Sequence, residues 1–141
     1  MLSRLLYVST ATGPITTAVT GTILRSAKAH NAANGITGVL CQGRGVYLQV
    51  LEGERSQVDA LYERISRDTR HHNLVLRQQQ DIKARSYGNW AMAHVDMVHL
   101  DKPDAPQQST AFDPYLATAE EVMVKIDALM AAGKLMNTPV V

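Results

Sequence analysis

Gln49 lies in the run Val46-Tyr47-Leu48-Gln49-Val50-Leu51, where each neighbour suits the interior of a sheet. A primary amide there costs free energy unless its carbonyl and its amino group both find partners, so something polar must face it. Side chains alternate between faces along a strand. That alternation groups Gln49 with Tyr47 and Leu51, and on the first apolar run it groups Tyr7 with Leu5 and Ser9. If the two strands are neighbours and these faces coincide, the Tyr7 phenol and the Gln49 carboxamide meet. The commoner meaning of such a pair is a satisfied buried hydrogen bond. A second polar group, in the segment His30-Asn31-Ala32-Ala33-Asn34-Gly35-Ile36-Thr37-Gly38, argues for more. Turn chemistry accounts for Asn34-Gly35 and leaves His30 and Asn31 unexplained.

The elements that must position these residues follow from hydrophobic period. Leu5-Leu6-Tyr7-Val8 reads as a first strand, stopped by Ser-Thr-Ala-Thr-Gly-Pro. Ile15, Val19, Ile23 and Ala27, widened by Leu24, step along one helix face that starts at Pro14 and ends near His30. Residues 36–41 and 46–52 form a hairpin around Gln42-Gly43-Arg44-Gly45, and Gly53 is expected to break the second of these strands. Val58, Leu61, Tyr62 and Ile65 then mark a second helix. A fourth strand opens at residues 74–76, and a basic polar loop spans 83–89. Residues 90–98 read as a fifth strand, with Trp90, Met92 and His94 on one face.

This order, β-α-β-β-α-β-β, is α+β and contains the split β-α-β arrangement of ferredoxin-like folds. It implies a five-stranded mixed sheet with both helices on one face, and with the first and third strands side by side and parallel at its centre. Strands apolar on both faces require a second cover. A polar connector at 99–112 leads to a stripe of Leu116, Ala119, Met123, Ile126 and Met130, opened by an Asp113-Pro114 cap and closed by Gly133. Residues 113–141 are therefore expected to supply a helix on the opposite face. A partner-binding or dimerising helix would carry the same stripe.

Composition narrows the function. The 141 residues suit one domain, and a formal net charge of +1 with 19% charged residues is not the balance of a nucleic-acid binder. Cys41 stands alone, no Cys/His cluster has zinc-like spacing, and no eighteen-residue apolar run or signal peptide is present, so a cytoplasmic protein without metal or membrane is expected. Gly43-Arg44-Gly45 is followed by Val-Tyr-Leu, which breaks the dinucleotide pattern. Walker, H-E-x-x-H and G-x-S-x-G motifs are missing.

Over residues 2–98 the chain resembles the BLUF domains, blue-light sensors that bind flavin. The resemblance rests on Arg4-Leu5-Leu6-Tyr7-Val8-Ser9, Asn31-Ala32-Ala33-Asn34-Gly35-Ile36-Thr37-Gly38, Leu48-Gln49-Val50-Leu51-Glu52-Gly53, Asp68-Thr69-Arg70-His71-His72 and Trp90-Ala91-Met92. It implies a photosensory unit over residues 1–98 and a non-covalent flavin, usually FAD, with FMN or riboflavin as alternatives, held between the two helices. By the same resemblance Tyr7 is the photochemical electron and proton donor, and Gln49 links it to the flavin. Asn31 binds the pyrimidine side, with His30 beside it. Ile23 and Ile65 match the residues that sandwich the ring, in agreement with their own helical stripes. Arg64, Arg70 and His71 are candidates for the ribityl and phosphate end, with a solvated helix end as the competing reading. Trp90 and Met92 match the pair that relays the signal.

The residue types suit that chemistry. A neutral phenol can give up an electron and then its proton, and an amide offers a donor and an acceptor on one group, which glutamate or leucine does not. The expected function is a blue-light receptor without turnover, since the residues after 98 are too few for a cyclase or phosphodiesterase. Its signal passes through the fifth strand and the C-terminal helix to a separate signalling protein, and a homo-oligomer through those same elements is expected. Two other readings stay open: a flavin-dependent redox enzyme or an acyl-phosphate hydrolase using Arg4 and Asn31, and an interaction domain that lost its ligand.

Overall fold

The computed structural model describes residues 1–96 and 113–131. Their elements are β1 (Leu2–Ala11), α1 (Thr17–Asn34), β2 (Thr37–Gly43), β3 (Val46–Glu54), α2 (Arg55–Ser66), β4 (His71–Asp81), β5 (Ala93–Asp96) and α3 (Ala119–Ala131). The sheet has the order β4-β1-β3-β2-β5, and among the described residues β2–β5 is the only parallel pair of hydrogen-bonded neighbours. It is the five-stranded mixed sheet of the ferredoxin-like arrangement.

The first and third strands are neighbours, but antiparallel ones: Leu2 pairs with Glu54 and Thr10 with Val46. The expected parallel pairing is corrected by the crossover itself. Helix α1 carries the chain from β1 to a parallel β2, and the hairpin return, β3, fills the gap between them. That hairpin turns on Arg44 and Gly45, both at positive φ (53° and 77°), with Gly43 paired to Val46. Gly53 does not break β3, which runs on to Glu54.

Alternation divides the core in two. Leu5, Tyr7, Leu40, Tyr47 and Leu51 face the first two helices, where Val58, Leu61, Ile23 and Ile65 pack on them. Leu6, Val8, Val39, Leu48 and Val50 face the other way, under Val122, Ile126 and Leu129 of α3. The third helix therefore covers the second face, as the doubly apolar strands require. Its start differs from expectation. Asp113 caps a turn instead, taking the Tyr115 amide at 2.9 Å. The helix begins at Ala119 behind a reciprocal capping box, in which Glu121 takes the Thr118 amide at 2.7 Å and Thr118 takes that of Glu121 at 3.1 Å. Leu116 consequently falls outside the helix and is exposed. The connector and Gly133 lie outside the described residues.

Candidate functional site

Gly35 ends α1 as a left-handed cap at φ 67°, four residues later than the sequence suggests, so His30 and Asn31 belong to the helix. They stand across from the face of β1 and β3 that carries Tyr7 and Gln49. Those two residues are direct cross-strand partners. Their side chains meet: the Tyr7 phenol donates to Gln49 Oε1, and Gln49 Nε2 donates to Met92 Sδ at 3.4 Å. Both acceptor and donor of the buried amide are thus occupied, one by a hydroxyl and one by a weak thioether acceptor. Burial foremost, then the Asp68 carboxylate and the nearby phenols, hold the Tyr7 pKa well above the usual phenol range, so the hydroxyl keeps its proton.

This pair forms one wall of a cavity of about 750 Å³, open mouth included, between α1, α2 and the sheet. The structure brings Tyr7, Ile23, His30, Asn31, Gln49, Arg64, Ile65, Arg70 and His71 to it, nine residues that the sequence nominated from five separate segments. Ile23 and Ile65, with Leu40 and Leu61, supply apolar walls. Asn31 Nδ2 donates to the Ala91 carbonyl at 2.8 Å, while its Oδ1 is buried with no hydrogen-bond partner. His30 Nδ1 accepts from Arg64 at 2.7 Å, and burial together with that guanidinium lowers the imidazole pKa. A neutral ring accepting at Nδ1 carries its proton at Nε2. His71 is fixed by the Ile65 carbonyl at 2.8 Å and the Ser9 hydroxyl at 2.7 Å.

Six lining residues, Ser26, Ala27, Leu40, Tyr47, Leu61 and Asp68, were not nominated for the site by sequence reasoning. Tyr47 was already grouped on the face of Gln49, and Ser26 lies one turn from Ile23 and beside Ala27, so period alone could have found both. Asp68 pairs with Arg70 through its two oxygens, with Arg70 Nε 3.0 Å from each. Only the motif that contains it hinted at its place.

Trp90 and Met92 do not share a face. Residues 90–92 precede β5 and are not extended strand, so period two fails there. Met92 is fully buried on the cavity side, against Gln49, whereas Trp90 packs into the core beneath α3. Arg4 faces that second core too, where it donates to Glu52 at 2.8 Å and to Ser86 Oγ at 2.6 Å. It is on the opposite side of the sheet from Asn31, which removes the hydrolase pairing.

The residues fit a flavin. A planar ring with hydrogen-bonding edges suits aliphatic walls, and a donor is wanted by the buried Asn31 Oδ1. Among the described residues, no helix is long and apolar enough to cross a membrane and no group of His, Cys, Asp or Glu could hold a metal.

Comparison with known proteins agrees with this geometry. The model of the family described as "BLUF: Sensors of blue-light using FAD" matches residues 2–93. The photoactivated adenylate cyclase subunit beta of Euglena gracilis is 35% identical over 92 residues, 64% of this chain and 11% of that protein. The chain thus spans about a tenth of the length of the curated relatives it matches. Among solved structures, BlrB, described as a BLUF protein in its dark state, superposes with a TM-score of 0.76 at 26% identity, covering 94% of this chain and 96% of BlrB. The BlsA photo-activated state superposes with a TM-score of 0.78 at 25% identity, covering 100% and 99%.

Proposed function

The chain belongs to the BLUF family of blue-light sensors that use flavin, and from that premise we propose that it is a photoreceptor in which Tyr7 donates an electron and then its proton while Gln49 exchanges its hydrogen bonds. The observation that carries this reading is the buried Tyr7–Gln49–Met92 chain on the wall of the cavity. A bound flavin supplies blue absorption and, once excited, a strong oxidant. Tyr7 is a fitting donor because it stays a protonated phenol, and its hydroxyl proton already rests on an acceptor, Gln49 Oε1. Gln49 is a fitting switch because one of its two bonds is to a thioether, a weak acceptor that costs little to leave. Rotation or tautomerisation of the amide then re-partners both ends without moving the backbone.

Asn31 and His30 would hold the ring edge, the first by its unpartnered buried Oδ1 and the second as an imidazole whose pKa burial and then Arg64 lower. Ile23 and Ile65 would sandwich it, with Arg64, Arg70 and His71 towards its ribityl and phosphate end. FAD is the flavin we expect, with FMN and riboflavin distinguished by chromatography of the released ligand. Residues 1–98 act as the sensor. The signal leaves through β5 and α3 within residues 113–141, by way of the connector 99–112, to a separate signalling protein in the cytoplasm. In this reading the chain performs no turnover and self-associates as a homo-oligomer.

The decisive experiment is the light-minus-dark absorption spectrum of the purified protein. A yellow protein with a reversible red shift supports the proposal, and a colourless protein, or a yellow one whose spectrum light leaves unchanged, overturns it.

A further inference from the structure

Segment 85–92 is hydrogen-bonded to α1, β2, β3 and α3. Arg85 grips the end of α1 and the start of β2, donating to the Gly35 carbonyl at 2.7 Å and to Thr37 Oγ1 at 2.9 Å. The Trp90 carbonyl accepts from Gly38 at 3.2 Å, the Ala91 carbonyl from Asn31 at 2.8 Å and the Met92 thioether from Gln49 at 3.4 Å. Asn31 and Gln49, two of the polar residues of the cavity wall, therefore hold on to the same stretch of chain.

The other end of this stretch crosses to the second face. Glu52, fully buried and three residues beyond Gln49 on β3, takes the amides of Ser86 at 3.0 Å and Tyr87 at 2.7 Å, with Arg4 balancing its charge at 2.8 Å. The backbone of Tyr87 is thereby fixed, and its ring joins Val122, Ile126 and Leu129 in the core beneath α3. Its hydroxyl donates to Asp127 Oδ1 of α3 at 2.6 Å. Among the polar contacts described for α3 beyond its own first turn, this one reaches the segment that the cavity also holds. This bond, from a tyrosine that is 3% exposed to a carboxylate on the exposed side of α3, is directional and short, so a displacement of its donor weakens it.

We propose that the Tyr87–Asp127 hydrogen bond is the latch by which segment 85–92 keeps α3 docked, and that rearrangement at Gln49 and Asn31 releases it. This rests on the photoreceptor reading above. Tyr87 and Asp127 are positioning residues, remote from the chromophore, and their loss should leave photochemistry intact while severing its consequence.

Hydrogen exchange of the α3 amides, followed in the dark and under blue light with the absorption shift recorded on the same full-length samples, tests this. In the unaltered protein, light is expected to speed α3 exchange several-fold. Tyr87→Phe keeps the ring and loses the hydroxyl. It should retain the absorption shift, exchange α3 in the dark at the rate the unaltered protein shows in light, and gain nothing on illumination. Asp127→Ala should behave alike, whereas Asp127→Asn, which keeps an acceptor oxygen, should preserve a light–dark difference. A full difference in Tyr87→Phe and Asp127→Ala, or an unaltered protein that shifts its spectrum with α3 exchange unchanged, would overturn the latch alone. Absence of any absorption shift in the unaltered protein would overturn the photoreceptor reading and the latch with it.

Discussion

Removing the Tyr7 hydroxyl perturbs stability and photochemistry separately, and both can be read. In Tyr7→Phe the ring stays in place while Gln49 Oε1, on a residue only 5% exposed, loses its donor. A buried acceptor left without a partner costs about 1–3 kcal/mol. Gln49→Leu strands the Tyr7 hydroxyl in the same way and adds a comparable loss. In the double variant neither stranded group exists, and two apolar side chains of similar shape face each other at close to neutral cost. The cycle should therefore return a coupling energy of about 1–3 kcal/mol, with the double variant far more stable than the sum of the singles predicts. Urea unfolding in the dark, repeated at two FAD concentrations to separate ligand linkage from intrinsic stability, measures it. Both single variants should retain flavin and lose the reversible red shift. Losses that add to within about 0.5 kcal/mol would refute the hydrogen bond as a coupled unit, and a normal shift in Tyr7→Phe would remove Tyr7 from the photochemistry.

Three further outcomes are expected. Gly38→Ala would place a Cβ 2.0 Å from the Val50 carbonyl oxygen, at least 1.0 Å inside any tolerable contact, and β2 would have to part from β3. A loss above about 4 kcal/mol in thermal unfolding is expected, and a loss below about 1 kcal/mol would contradict the close approach of the two strands. Asp68 is held below the ordinary carboxylate range chiefly by the hydrogen bond from Arg70, against the opposing effect of burial. Its stabilisation is present above the unfolded-state pKa and is lost as pH falls through the lower folded value, so Asp68→Asn should lose less stability than the unaltered protein between neutral and acid pH; equal acid sensitivity in urea titrations would contradict it. Asn31→Ala should lower the flavin-to-protein ratio after gel filtration while the dark fold survives, and an undiminished ratio would remove Asn31 from the binding site.

Most of the cavity was legible because its residues obey simple periods. Tyr7 and Gln49 lie on regular strands, where alternation fixes the face, and Ile23 and Ile65 lie on helices whose period sets the inner face. The relative direction of β1 and β3 was not legible from alternation, because side-chain faces alternate identically in parallel and antiparallel pairs. Trp90 was misplaced because a period was extended over residues that are not a strand, and the backbone there is held by Gly38 and Asn31 rather than by a full ladder. Strand β4 runs from His71 to Asp81, well beyond the Leu74–Leu76 apolar core that announced it. It is an edge strand with exposed and half-buried side chains, so little hydrophobic signal marks its ends. Asp113-Pro114 resembled a helix start as strongly as Thr118 does, and what separates them is Glu121, three residues after Thr118.

Strand β3 presents its even-numbered and odd-numbered residues to different neighbours, the first to the third helix and the second to the cavity. One ribbon thus carries two sets of substitutable positions with different neighbours. Changes at Leu48 or Val50 alter the packing beneath α3 and leave the cavity wall in place, and changes at Tyr47 or Leu51 do the reverse. On the photoreceptor reading, selection can therefore act on the response at the even positions of β3 apart from the optics at its odd ones.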